Sequence, residues 1–179
     1  LTRFLSIVLG AITVALAYAL ARSMAPGWPV AAPLAAALVA FTPQFLFITA
    51  STNNDNLVTL LGAAGLYLCV RVASLDRAPE WHWWAALGLA AGLAALSKLS
   101  GLLLLPLIGV TILLVAYGQR SWRVAWRATV LVGAVFLLVA GWWYWRNWRL
   151  FGDPLLLTVM FAVLPPRPEL ATPAQVLAM

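Results

Sequence analysis

Six apolar stretches, residues 4–21, 30–50, 57–72, 81–99, 102–117 and 128–145, leave this chain few folds to choose from. Each approaches the roughly 20 apolar residues needed to cross a hydrocarbon layer about 30 Å thick. Inside that layer backbone N–H and C=O groups find no water, so runs of this length cross only as helices. The expected fold class is therefore all-α: a polytopic transmembrane helix bundle of about six spans over residues 1–150, with residues 151–179 as an extracytoplasmic loop or the start of a following segment. With 9% charged and 64% hydrophobic residues, an ordinary soluble domain is excluded. Pro33 and Pro43 are expected to shorten or kink the second span, and Ser100-Gly101 alone to separate the fourth from the fifth. The chain begins Leu1-Thr2-Arg3 and ends beyond the Pro-rich stretch Pro165-Pro166-Arg167-Pro168, so it reads as part of a longer polypeptide.

The formal charge of +6 would point to nucleic acid in a soluble chain. Here the basic residues sit in short loops between spans, where topology and lipid headgroups account for them, and no nucleic-acid partner is expected. With six spans, one side carries Arg22, Arg71, Arg77, Arg120, Arg123 and Arg127, and the other Lys98, Arg146 and Arg149. The richer set marks the cytoplasmic side, with Arg3 a small opposing term. It follows that Asn53, Asn54, Asp55, Asn56, Lys98, Arg146, Asn147, Arg149 and Asp153 all belong to extracytoplasmic helix ends, where they could line one site.

Each of these residues also has a plain structural explanation. Asp55 suits the start of a helix, where a carboxylate caps backbone N–H groups and favours the dipole. Capping needs only one such residue, however, and Ser51 to Asn56 is an unbroken polar run at a membrane boundary. A carboxylate flanked by amides, as Asp55 is by Asn53, Asn54 and Asn56, would suit a divalent cation or a sugar hydroxyl. Lys98, in Leu96-Ser97-Lys98-Leu99-Ser100-Gly101, either snorkels to the interface or meets a lipid phosphate. The run Trp142-Trp143-Tyr144-Trp145-Arg146-Asn147-Trp148-Arg149 has the composition of an interfacial belt. Its two arginines, one turn apart if the helix continues, ask for an anion on the side poorer in cations. Cys69, the only cysteine, lies in an apolar run and reads as a packing residue; His82, among Trp81, Trp83 and Trp84, reads as part of an aromatic belt.

Three segments together resemble a known family: Thr42-Pro43-Gln44-Phe45 running into Asn53-Asn54-Asp55; Ala95-Leu96-Ser97-Lys98-Leu99-Ser100-Gly101 with Pro106; and Trp145-Arg146-Asn147 followed by Phe151-Gly152-Asp153-Pro154. In order and spacing, over residues 42–154, they resemble the GT-C superfamily of polytopic glycosyltransferases, in particular bacterial members related to protein O-mannosyltransferases and to the lipid A aminoarabinose transferase. The resemblance implies transfer of a sugar from a polyprenyl-phosphate donor to a hydroxyl of a lipid, glycan or protein acceptor. It implies a multi-pass protein of the bacterial inner membrane, with its site facing the periplasm or cell exterior and serving cell-envelope glycosylation. Lys98, Arg146 and Arg149 would bind the donor phosphate, Asn53, Asn54 and Asn147 would support acceptor or metal, and Asp55 would be a catalytic or metal-binding carboxylate matching the second acidic motif. The principal carboxylate of the superfamily typically lies in the first extracytoplasmic loop, which would precede Leu1.

The chief rival is a transporter or flippase for a lipid-linked or small polar substrate. Such a protein places polar residues near the bilayer midplane and usually carries an internal repeat, whereas the polar clusters here sit at helix ends and no repeat is evident. A purely structural membrane subunit or lipid-binding module is the third reading.

Overall fold

A computed structural model of the protein describes residues 2–163, all of whose regular structure is helical. The helices are α1 (Thr2–Met24), α2 (Ala31–Ala40), α3 (Pro43–Ala50), α4 (Asp55–Ala73), α5 (Trp81–Ser97), α6 (Leu104–Gly118), α7 (Trp122–Phe136), α8 (Trp142–Phe151) and α9 (Leu157–Val163). A 3₁₀ turn, Leu99–Leu103, leads into α6, and a π-helical turn, Leu137–Gly141, follows α7. The Pro-rich stretch 165–168 and most of the expected following segment lie outside the described residues. The chain divides into two compact units, residues 1–142 and 143–179.

In the first unit, the stretch expected as the second span is broken where the chain chemistry requires it. The residue before a proline is pushed out of the α region, and Thr42 is extended (φ −67°, ψ 119°) ahead of Pro43. α2 and α3 consequently meet at a bend of 59°. Pro33 falls in the first turn of α2, where a missing N–H costs nothing, and does not interrupt it.

The four segments Arg3–Met24, Asp55–Ala73, Leu99–Gly118 and Trp122–Phe151 are long and apolar enough to cross a membrane, and the bent pair α2 and α3 makes a fifth. α5, expected to run to residue 99, stops after 17 residues at Ser97. Lys98 is extended (φ −159°, ψ 148°), and the chain turns back at once through the 3₁₀ turn. The break between these two helices is thus Lys98 itself rather than Ser100-Gly101, which belong to the 3₁₀ turn.

Small residues set how closely the helices pack, as expected where lipid tails are as apolar as side chains and van der Waals fit drives association. A Cβ on Gly88 or Gly92 of α5 would come within 2.8 Å of Val132 or Val139, so these two glycines seat α5 against α7 and the π-helical turn. Leu87, Ala91, Ala94, Ile108, Val72 and Ala128 form the buried centre, and Cys69 is packed with them. Large apolar side chains such as Phe47, Leu103, Leu138 and Tyr117 face outward, as helices surrounded by lipid require. His82 lies between Trp81 and Trp83, 3.5 Å from Glu80.

Candidate functional site

The polar run before α4 has divided labour. Helix ends leave backbone groups without intrahelical partners, and the three asparagines satisfy several of them. Asn56, only 4% exposed, donates its Nδ2 to Ile48 O (3.2 Å) and Ser51 O (3.0 Å), closing the end of α3. Asn54 reaches across to α5, donating Nδ2 to Ser97 O at 3.0 Å. Asn53 accepts the Asn56 N–H on Oδ1 (3.3 Å) and donates Nδ2 to Ser51 Oγ (2.9 Å).

Asp55 does something different. Although it opens α4, its carboxylate makes no cap; Asn53 supplies the side-chain acceptor at that helix start. Instead Oδ1 of Asp55 accepts from the Lys98 ammonium, 43 residues away, to form an ion pair. Both partners remain partly solvent-accessible, so neither is a sealed structural charge. Asn54 fixes the α5 end one residue before Lys98, which makes it a positioning group for the pair. The structure therefore brings Asp55, Lys98 and Asn54 together at one end of the first unit. Among the described residues no group of three or more His, Cys, Asp or Glu gathers as a metal site, and Oδ1 of Asp55 is taken by Lys98.

Below the pair lies a groove of about 380 Å³. Its α4 wall is Val58, Thr59, Gly62 and Leu66, and its opposite wall includes Ser100, Leu103, Leu104 and Leu107. Residues 55, 59, 62 and 66 recur at helical spacing, so Asp55 heads the same stripe of α4 that lines an apolar channel. A charged head above an apolar wall has the polarity of a lipid-linked anion.

The remaining candidates belong to the second unit. α8 runs on to Phe151, so Arg146 and Arg149 do lie one turn apart. Both are exposed, Arg146 over the Trp143 ring (5.4 Å) and Arg149 over Trp145 (5.9 Å), cation–π contacts that steady each guanidinium. Asn147, 2% exposed, donates Nδ2 to Pro154 O at 3.4 Å, and its Oδ1 is buried without a partner.

Asp153 is occupied locally: it accepts from Leu155 N (2.9 Å), Thr158 N (2.8 Å) and Thr158 Oγ1 (2.5 Å). The Thr158 hydroxyl first, and then its amide, hold the Asp153 carboxyl below the usual 3.8. Because the folded value is depressed, this contribution is present above 3.8 and fades as pH falls through the folded value. Acidification below that range, like Asp153→Ala at neutral pH, is expected to expose the amides of Leu155 and Thr158; hydrogen exchange at those two amides is the check.

Sequence reasoning placed Asn56 in the polar run that could line one site but gave it no separate role, and it did not find the groove. Asn56 was visible as a polar residue in the first turn of an apolar helix, but its burial depends on the return of α3. The groove has no linear signature beyond the 55, 59, 62, 66 spacing.

The model of the family described as dolichyl-phosphate-mannose-protein mannosyltransferase matches residues 2–145, a stretch that holds the α4 and α5 ends and their ion pair. No curated protein and no solved structure matches the chain. A match over most of the length, with a helical membrane fold and a carboxylate–ammonium pair above an apolar groove, settles the assignment: this chain belongs to the dolichyl-phosphate-mannose-protein mannosyltransferase family of membrane glycosyltransferases.

Proposed function

We propose that this protein transfers a sugar from a polyprenyl-phosphate donor to an acceptor hydroxyl on the extracytoplasmic side of a bacterial inner membrane. The observation that carries this reading is the Asp55–Lys98 pair at the head of the apolar groove. A donor of this class needs an apolar path for its tail and a cation for its phosphate, and the groove and Lys98 supply both within a few residues. The excess of arginine on the opposite loops supports the sidedness.

In the reaction, the acceptor oxygen attacks the anomeric carbon, the bond from that carbon to the phosphate oxygen breaks, and the hydroxyl proton passes to a carboxylate. Asp55 is the carboxylate we assign to the acceptor, as proton acceptor or as partner of a second acid. Lys98 stabilises the charge that accumulates on the departing lipid phosphate. Asn53 and Asn54 act through the backbone they hold, by fixing the start of α4 and the end of α5. Arg146 and Arg149 are assigned to an anionic group of donor or acceptor, with Asn147 bracing the end of α8.

Lys98→Ala tests the reading. Loss of a charge-assisted contact to phosphate costs about 1.5–3 kcal/mol, so the donor KM is expected to rise about ten- to a hundredfold with lipid-linked sugars in reconstituted membranes. Thermal stability should change little, since a partly exposed pair contributes at most about 1 kcal/mol. An unchanged donor KM removes Lys98 from phosphate binding.

A further inference from the structure

Lys98 is the cation assigned to the donor phosphate, yet in the structure it is already taken. Its ammonium is paired with Asp55, and among the described residues this is the carboxylate within ion-pair reach of it. Asp55 stands one turn before Thr59 on the α4 stripe that lines the groove, and Lys98 two residues before Ser100 on the opposite wall, so the pair borders the groove without lining it. A phosphate and a carboxylate competing for one ammonium repel each other, and the apolar rim of the groove weakens the screening between them. Both side chains retain solvent access, so the pair can part without burying an unpaired charge.

We propose that Asp55 is an internal stand-in for the donor phosphate: it occupies Lys98 while the groove is empty and is displaced when a lipid-linked phosphate arrives. The exchange is one of ionic partners, with no bond made or broken. Its consequence is order. The carboxylate that serves the acceptor becomes free only once the donor is seated, so acceptor activation is coupled to donor occupancy. Asn54 makes the exchange local, because its bond to Ser97 O keeps the α5 end in place after the ion pair opens. This inference rests on the phosphate role of Lys98 proposed above.

The two ideas separate in one binding experiment with a sugar-free polyprenyl phosphate and the purified protein in detergent micelles. Removing a competing carboxylate should tighten binding, so Asp55→Asn is expected to bind the lipid phosphate about two- to fivefold more tightly than wild type. Lys98→Ala should bind at least about tenfold more weakly. Combining the two changes should give no gain over Lys98→Ala, because the benefit of losing Asp55 passes through Lys98. Weaker or unchanged binding by Asp55→Asn, with Lys98→Ala still impaired, overturns the exchange and leaves the donor-binding role standing. An equal gain in the presence and absence of Lys98 also overturns it, since Asp55 would then act by simple repulsion. Unimpaired binding by Lys98→Ala defeats the donor-binding role itself. Asp55→Ser, which also lacks the charge, provides the same comparison if Asp55→Asn folds poorly.

Discussion

Asp55→Asn is expected to reduce sugar transfer by about 10²- to 10⁴-fold, the range typical for loss of a positioned proton acceptor. Expression and thermal stability should stay near wild type. The substitution keeps the shape of the side chain, and the ion pair it removes lies between groups that are each partly exposed. The contrast with its neighbours makes the result specific. Asn53 and Asn54 spend their amides on backbone and on Ser51, so their alanine variants should lose stability and activity together. Asp55 caps nothing, and its loss should appear in turnover. Transfer assays with lipid-linked sugar, alongside thermal unfolding of the same preparations, give the comparison; Asp55→Asn activity above about a tenth of wild type would take Asp55 out of the chemistry.

Gly101→Ala should be the most damaging single methyl group in the first unit. A Cβ at this position would lie 2.1 Å from Ala94 O and 2.7 Å from Ala95 N, both backbone atoms of the last turns of α5, which cannot move aside as a side-chain tip can. The 3₁₀ turn Leu99–Leu103 would have to lift from α5, carrying Lys98 away from Asp55 and opening the wall of the groove that Gly101 lines. A cost of at least about 3 kcal/mol is expected, at or above the upper end of ordinary overpacking. Gly109→Ala, in the middle of α6 with nothing within 4 Å of the new Cβ, is the control and should be neutral or slightly stabilising. Thermal unfolding in detergent distinguishes them; similar midpoints for the two variants would show that the turn does not need its close approach to α5.

The comparison of Gly101 with Lys98 illustrates how far a linear reading reaches. The sequence placed a break near residues 98–101 from the local loss of hydropathy, and put Lys98 at the same membrane face as Asp55 by counting spans and arginines. It gave the break to Ser100-Gly101, whereas the chain leaves α5 at the extended Lys98. Lys98 becomes extended and Gly101 enters a 3₁₀ turn because the turn packs onto the end of α5, a contact that no local propensity describes. Pro43 was different: its effect on Thr42 is steric and local, so the bend between α2 and α3 could be anticipated from two residues.

What the sequence determined by itself was therefore whatever depends on transfer free energy and nearest neighbours. Helices are the only way for these apolar runs to satisfy their backbones in lipid, and polar residues collect where the helices end. The tertiary structure decided the partners. Whether Asp55 caps α4 or meets Lys98, and whether Asn54 or Asn56 is the buried amide, depends on how each helix is rotated about its axis and how far it slides along its neighbour. Those two quantities are set by close packing at small residues such as Gly88, Gly92 and Gly65, whose missing side chains admit Val132, Val139 and Leu104. Hydropathy is blind to them, because it assigns the same free energy to an apolar side chain whichever way it faces in the membrane.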